Sequence, residues 1–169
     1  MRNCSPGPAV NVVRIRYATA ADVPPMRSLA QNIPTAAHWS VAQYDSLFSP
    51  DAPQRIALIA ESDSTPTAFA GFLIARLLPC TCEIENLVVA PQSRRRRIAS
   101  SLIRAVLGHA QAANCAEVLL EVRESNTAAR RLYEKIGFTL EGRRKDYYRN
   151  PPEPAVLYRL ALHFCDKIP

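Results

Sequence analysis

The chain of 169 residues is long enough for one domain with its own core, and its 48% hydrophobic and 21% charged residues are ordinary for a globular protein. A net charge of +6 favours an anionic partner, either a nucleic acid or a polyphosphate cofactor. No apolar stretch is long enough to span a bilayer, which argues against a membrane protein. Residues 1–11 lack the apolar core of a signal peptide, so we expect a flexible tail there, one domain over 12–169 and a cytoplasmic location.

The cysteines and histidines lack the spacing of a metal site. Cys80 and Cys82 lie one residue apart, but no second cysteine or histidine pair follows at a zinc-like distance. The five cysteines are scattered and odd in number. We therefore expect no metal ion and reduced, mostly buried thiols.

Hydrophobic periodicity predicts secondary structure in chain order. Alternating apolar residues predict a first strand over 11–19, and two short helices follow over 23–31 and 38–48, the second capped by Ser40. Six further strands are predicted over 55–62, 67–78, 82–89, 116–124, 139–149 and 155–164. Two longer helices are predicted over 98–113 and 125–138.

The last helix has recognisable end signals. Ser125 is its predicted N-cap and Gly137 its C-terminal cap, and residues 150–154 ("NPPEP") are predicted as the loop between the last two strands. Taken together, the elements predict one α/β (α+β) domain with a mixed seven-stranded sheet and about four flanking helices.

Four consecutive arginines, residues 94–97, lie where a strand passes through a tight loop into a helix. This junction directs unpaired backbone N–H groups at an anion. Four positive charges there would oppose the positive end of the helix unless an anion binds between them. A phosphate site and a solvated basic turn both remain possible at this point, whereas no interleaved aromatic residue or known motif supports nucleic-acid binding.

Two segments resemble the GNAT superfamily of acetyl-CoA-dependent N-acetyltransferases. They are "NLVVAPQSRRRRIASSLI" (86–103) and "LLEVRESNTAARRLYEKIGF" (119–138). The resemblance is closest to RimI-type enzymes, which acetylate the N-terminal alanine of a ribosomal protein. It implies the single-domain GNAT fold, acetyl-CoA as co-substrate and a primary amine as acceptor.

The resemblance also implies where the cofactor binds. In the family, a loop of pattern Gln/Arg-x-x-Gly-x-Gly/Ala wraps the CoA diphosphate with its backbone amides, and Asn126 corresponds to an asparagine that helps hold the pantetheine arm. That arm bonds to the backbone of a strand. The matching loop residues are Arg94, Arg95, Arg96, Arg97, Ile98 and Ala99, and the matching strand residues are Leu87, Val88 and Val89.

Arg97 departs from the family pattern, because it stands where the family has its first loop glycine. Glycine tolerates positive φ at little cost. A non-glycine residue in that conformation costs on the order of 1 kcal/mol or more. We expect cofactor binding to survive, with the Arg97 side chain either pairing with phosphate or crowding the site.

Amide formation from a thioester needs a neutral amine, a polarised carbonyl and a protonated leaving thiolate. Glu121 lies in an apolar strand, where loss of solvent would raise its pKa towards that of a general base. An ion pair with Arg123 or Arg143 explains the same residue without catalysis. The resemblance favours Glu121 as the base, with Glu85 as the alternative.

Tyr133 lies two helical turns after Asn126, on the same face. It either packs as a core residue with Leu132 and Ile136 or donates a proton to the departing sulfur. The spacing does not separate these roles, and the resemblance favours the second.

The acceptor is expected to contact Tyr147, Tyr148 and Glu85. The predicted function is transfer of an acetyl group to the N-terminal α-amine of a protein, with a ribosomal protein among the candidates and no membrane or nucleic-acid partner. The alternatives are an acetyltransferase for a small amine or a lysine side chain, and a degenerate CoA- or RNA-binding module.

Overall fold

The computed structural model describes residues 13–37, 39–50, 53–62, 69–149 and 151–162. The predicted tail over 1–11, and the outer ends of the first and last predicted strands, lie outside these ranges. Within the described residues, no helix has both the length and the apolar character needed to cross a membrane.

In the described part of the chain, seven strands form one mixed sheet in the spatial order β1-β2-β3-β4-β5-β7-β6, and four α-helices flank it, which confirms the predicted fold class. The strands are β1 Val13–Tyr17, β2 Arg55–Ser62, β3 Phe69–Leu78, β4 Thr81–Val89, β5 Glu117–Arg123, β6 Thr139–Arg149 and β7 Pro152–Ala161. The helices are α1 Val23–Gln31, α2 Val41–Asp45, α3 Ile98–Ala112 and α4 Thr127–Ile136.

Helices cover both faces of the sheet and create two hydrophobic layers. In the α3 layer, Ile98, Leu102 and Val106 are almost completely buried. In the α1 layer, Met26 and Tyr44 are buried against the opposite face. Each such side chain contributes about 1.5–3 kcal/mol on burial, so both layers stabilise the sheet.

β4 and β5 separate partway along their length. They pair in parallel from Thr81↔Glu117 to Ile84↔Leu120, and their ladder ends there although both strands continue. β5 meanwhile stays paired with β7 along its whole length. The two strands therefore diverge beyond Ile84 and leave a wedge-shaped gap in the sheet.

Two helix starts test the predicted caps. Ser40 caps α2 as predicted, since its Oγ accepts a hydrogen bond from the N–H of Gln43. The predicted cap Ser125 is wrong for α4, because Asn126 occupies that position and its Oδ1 accepts from the N–H of Ala129 at 3.2 Å. Asparagine and serine cap helices about equally well, so residue type alone did not separate these neighbours.

The hairpin between β6 and β7 is tighter than predicted. β7 begins at Pro152, which pairs with Arg149, so most of the loop predicted over 150–154 belongs to the strand. Proline is tolerated at the first residue of a strand, where its missing N–H removes little of the ladder.

An ion pair joins β1 to the start of α1. The Arg16 guanidinium donates to both carboxylate oxygens of Asp22 at 2.7 and 2.8 Å, and the N–H of Thr19 donates to the same carboxylate. These bonds, the one from Arg16 above all, lower the pKa of Asp22 to about 2. The pair fixes the first helix of the α1 layer against the sheet.

Candidate active site

A cavity of about 950 Å³ lies in the gap between β4 and β5. Its lining comes from the loop after α1, from β4 and β5, from the arginine segment, from both long helices and from the β6–β7 hairpin. One end is formed by the arginines and the start of α3, and we call it the donor end. The other is formed by the β4 segment around Glu85, by Glu121 and by the hairpin, and we call it the acceptor end.

At the donor end, the first backbone N–H groups of α3 make no hydrogen bonds within the helix. The first intrahelical bond runs from the N–H of Ser101 to the carbonyl of Arg97, which leaves the N–H groups of residues 98–100 for other partners. Ser93 lies one short turn earlier, and its fully buried Oγ has no hydrogen-bond partner among the described residues. These donors suit an anion bound at the helix start.

Most of the predicted phosphate residues meet at this end. Arg94, Arg95, Arg97, Ile98 and Ala99 line the cavity, whereas the exposed Arg96 is not among its lining residues.

The departure from glycine at Arg97 has the predicted backbone consequence. Arg97 has φ 62° and ψ 10°, the left-handed conformation, and it is the N-cap residue of α3. Arg95 also has φ 62°. For residues other than glycine this conformation costs roughly 1–2 kcal/mol each, so the loop adopts it at the expense of strain.

A bulge in β4 shapes the wall of the cavity. β3 pairs Ile74 with Asn86 and the next residue, Ala75, with Ile84, so Glu85 is an extra residue. Ile84 packs in the α3 layer, whereas Val88 packs in the α1 layer. The bulge therefore reverses the facing of the strand and directs both Glu85 and Asn86 to the α1 side.

Beyond the bulge, the cavity is lined by Leu87, Val88 and Val89, the residues predicted to hold the pantetheine arm. Their strand pairs with β3 on one side and faces the gap on the other. Gly71 of β3 permits this close packing, since a Cβ there would lie 2.5 Å from the carbonyl oxygen of Val88. The strand thus presents an edge to which an extended ligand can hydrogen-bond.

Tyr133 is both a packed residue and a residue of the cavity wall. Its ring packs edge-on against Phe138 at 5.8 Å and lies 6.0 Å from that of Tyr158, as expected for a core residue. It also lines the cavity together with Asn126. Burial raises the pKa of Tyr133, so its hydroxyl stays protonated at neutral pH and is able to donate.

Glu121 lies on the cavity wall with its side chain 22% exposed. Its carboxylate pairs with Arg144 at 3.2 Å. The pKa of Tyr147 is raised, mainly by a hydrogen bond to Glu121 and secondly by burial. The predicted alternative partners are wrong, because Arg123 pairs with Glu153 at 2.7 Å and Arg143 with Glu124 at 2.7 Å.

Strand alternation explains why Arg144 rather than Arg143 pairs with Glu121. Arg144 on β6 and Arg123 on β5 both pair with Ala155 of β7, so the two arginines lie on the same face of the sheet. Glu121 lies two positions before Arg123 on β5 and therefore shares that face. Arg143 points to the opposite face, where it meets Glu124. A single sequence does not show this register.

Glu85 is already engaged by a guanidinium. Arg55 donates to it at 2.6 and 3.1 Å, Arg76 lies 3.7 Å away, and the Arg55 guanidinium also stacks 5.4 Å from the ring of Trp39. Trp39 and Arg76 line the cavity but were not predicted. Trp39 belongs to "HWS", so an aromatic residue directly before a helix cap was the available signal.

The hairpin tyrosines close the acceptor end. Tyr147 and Tyr148 both line the cavity, and the Arg123 guanidinium lies 4.0 Å from the ring centre of Tyr148. Burial is the main cause that raises the pKa of Tyr148 to about 12. Tyr147 is 46% exposed. The predicted catalytic, cofactor and acceptor residues therefore meet around one cavity, with the exception of Arg96.

Comparison with known proteins assigns a family. The profile of the Acetyltransferase (GNAT) family matches residues 23–138, more than half of the chain. The chain is 36% identical over 95 residues to a ribosomal-protein-alanine N-acetyltransferase of Haemophilus ducreyi, a match that covers 54% of this chain and 66% of that protein. It is 36% identical over 91 residues to the N-alpha-acetyltransferase RimI of Mycobacterium tuberculosis, covering 53% of this chain and 56% of that protein.

Solved structures show the same fold. The ribosomal-protein-alanine N-acetyltransferase of Escherichia coli superposes with a TM-score of 0.77 at 22% identity, over 94% of this chain and 99% of that one. Arabidopsis thaliana NAA60 in complex with acetyl-CoA superposes with a TM-score of 0.81 at 18% identity, over 89% and 99%. The sheet with its divided strands and the cavity between them define an acetyltransferase fold. This chain belongs to the GNAT acetyltransferase family.

Proposed function

We propose that this protein transfers an acetyl group from acetyl-CoA to the N-terminal α-amine of a protein. One observation carries the proposal: a single cavity joins an anion-binding helix start to a carboxylate and a buried tyrosine, through the gap between β4 and β5. The relatives bear the names of N-terminal acetyltransferases, but the matched stretches span only 66% and 56% of their length. The proposed activity therefore rests on the geometry of the site.

The donor end fits the diphosphate of CoA. Arg94, Arg95 and Arg97 supply positive charge, and the N–H groups at the start of α3 supply directed donors. The buried, unpaired Oγ of Ser93 provides one more donor. The backbone of residues 87–89 would hold the pantetheine arm as an added strand, with Asn126 on the facing helix.

Glu121 and Tyr133 perform the proton transfers in this proposal. Glu121 accepts the proton that the amine loses as its nitrogen bonds to the thioester carbonyl carbon. Tyr133 donates its hydroxyl proton to the sulfur as the carbon–sulfur bond breaks. Tyr133 then takes up a proton from solvent and Glu121 releases one, so both residues return to their starting states. None of the described cysteines lines the cavity, which supports direct attack without an acyl-enzyme.

An α-amine suits this site better than a lysine. The ordinary pKa of an α-amine is about 8, against about 10.4 for the lysine side chain, so a weaker base suffices to deprotonate it. By analogy with the named relatives, we include a ribosomal protein with an N-terminal alanine among the candidate acceptors. A cytoplasmic location is part of the same proposal, because ribosomal proteins are made there.

Release of CoA from acetyl-CoA in the presence of short peptides that differ only at their first residue tests the proposal. We expect turnover with small first residues such as alanine, and products acetylated at the α-amine by mass spectrometry. Turnover with polyamines or lysine side chains alone would identify a different acetyltransferase. Binding of acetyl-CoA or RNA without turnover would identify a binding module.

Glu121→Gln and Tyr133→Phe test the assigned roles. Each is expected to lower kcat by about 10²–10⁴, the usual contribution of one acid or base, with little change in acetyl-CoA affinity measured by calorimetry. Glu124→Gln is the matched control, because Glu124 ends the same strand region but lies outside the cavity lining. An unchanged kcat at every pH would contradict the role of the substituted residue.

A further inference from the structure

Asn86 carries a buried hydrogen-bond acceptor beside the cavity. The residue is 4% exposed and belongs to the cavity lining. Its Nδ2 donates to the hydroxyl of Tyr44 at 3.4 Å and to the carbonyl of Ala37 at 3.5 Å. The backbone carbonyl of Ala37 can accept a hydrogen bond from the NH₂ group of Asn86 but not from its oxygen, and this contact fixes the orientation of the Asn86 amide.

The three carboxylates that line the cavity are each paired with an arginine. Glu83 pairs with Arg76, Glu85 with Arg55, and Glu121 with Arg144. The Oδ1 of Asn86, in contrast, has no hydrogen-bond partner among the described residues. A buried acceptor without a donor is unfavourable, so the position is suited to a donor brought by a ligand.

We infer that Asn86 Oδ1 accepts a hydrogen bond from the reacting amine of the acceptor, an inference that rests on the proposed function. Asn86 lies on β4 and Glu121 on β5, on the two walls of the gap. A neutral amine has two N–H bonds and one lone pair. Asn86 binds one N–H, Glu121 receives the other, and the lone pair is directed at the thioester.

A neutral amide has a chemical advantage over a carboxylate here. It accepts a hydrogen bond from the amine without a negative charge that would stabilise the ammonium form. Because the nucleophile must be deprotonated, a second carboxylate at this position would oppose the reaction. Because of the bulge, the uncharged Asn86 lies directly beside the charged Glu85 on the same side of the strand.

Several charged and titratable groups surround this position. They are Glu83 and Glu85 on β4, Arg76 on β3, Arg55 on β2, Glu121 and Arg123 on β5, Arg144 and Tyr147 on the hairpin, Tyr44 on α2 and Arg27 on α1. An isosteric change at Asn86 leaves all of them in place, so the pH dependence of the variant reports the added charge.

The pH profile of kcat for Asn86→Asp, with an N-terminal alanine peptide, tests the inference. The added carboxylate stabilises the ammonium form of the bound amine, so its pKa rises and the ascending limb moves to higher pH, by about one unit. Asn86→Ala is expected to raise the peptide KM about tenfold, equivalent to one hydrogen bond, with an unchanged KM for acetyl-CoA.

Two control variants distinguish a role of Asn86 in binding the acceptor from a role in supporting the fold. Tyr44→Phe removes a partner of Nδ2 but leaves Oδ1, and Asn32→Ala changes an exposed amide outside the cavity. Equal rises in peptide KM for Tyr44→Phe and Asn86→Ala, with an unmoved limb for Asn86→Asp, would show a structural role and overturn the inference. Absence of peptide turnover by the unaltered protein would instead refute the proposed function, and calorimetry with acetyl-CoA confirms that each variant is folded.

Discussion

The two ends of the cavity handle charge in opposite ways. At the donor end, Arg94, Arg95 and Arg97 line the cavity beside the positive end of α3, and none of them forms an ion pair with a described carboxylate. At the acceptor end, Glu85 and Glu121 each pair with an arginine. Unpaired positive charge at the donor end favours an anionic ligand in the proposed function. At the acceptor end the charges compensate one another, so in the proposed function the ligand there is selected by hydrogen-bond geometry.

Replacement of Arg94 and Arg95 by alanine addresses the donor end. We expect acetyl-CoA affinity to fall by about tenfold to a hundredfold, because charge-assisted bonds to phosphate are lost. Affinity of the unaltered protein should decline with added salt, and the double variant should respond less. Titration calorimetry at two salt concentrations measures both effects.

Arg104→Ala is the matched control for this change, since Arg104 is an exposed arginine of α3 outside the cavity. A loss of affinity as large as that of the double variant would mean that the donor end acts through its overall charge.

The Arg16–Asp22 pair relates to the acceptor end, where the charges compensate one another, because this pair holds the α1 layer that packs behind that end. The pKa of Asp22 is lowered from 3.8 to about 2, so the folded state prefers the charged form. This contributes about 2 kcal/mol to the free energy of unfolding above pH 4, and the contribution is lost as the pH falls through about 2. Asp22→Asn should therefore be less stable than the unaltered protein at pH 7 by about that amount.

Urea unfolding at a series of pH values measures this difference. The difference between the two proteins should stay constant from pH 5 to 8 and shrink towards zero near pH 2. Asp45→Asn, which removes a carboxylate from an exposed position, is the matched control. A constant difference down to pH 2 would contradict the ion-pair origin of the stability.

Arg97→Gly tests the strain at the donor end, and its expected effect is the smallest. Glycine adopts positive φ at little cost, so the variant should gain about 1 kcal/mol of stability. The same change at Arg131, inside α4, should lose about 1 kcal/mol. Thermal unfolding distinguishes the two signs, and a destabilised Arg97→Gly would show that the side chain itself stabilises the loop.

The sequence was sufficient for the elements of the fold, because apolar periodicity is strong in most of them. Helical spacing predicted α3 to within one residue at each end, and strand alternation predicted β1, whose described part ends at Tyr17. The α4 cap was missed by one residue, since Ser125 and Asn126 are both good caps and only the geometry separates them.

The bulge in β4 left no trace in the sequence. Cys82, Ile84, Asn86 and Val88 are all buried in strict alternation, although the first two belong to the α3 layer and Val88 to the α1 layer. Because helices cover both faces of the sheet, the change of face does not interrupt the pattern. The role inferred for Asn86 was therefore beyond the reach of sequence periodicity, whereas the loop residues and Tyr133 were singled out by the family resemblance.

The short ladder between β4 and β5 has a consequence for how the chain acquires its structure. β1 to β4 join their neighbours in sequence order, and β5 to β7 form a second group of antiparallel strands. The ladder that unites them begins with Thr81 and Glu117, 36 positions apart along the chain. Such distant parallel contacts form slowly. We expect the two halves to assemble separately and to join late, so that ligand-binding competence is gained in the final step of folding.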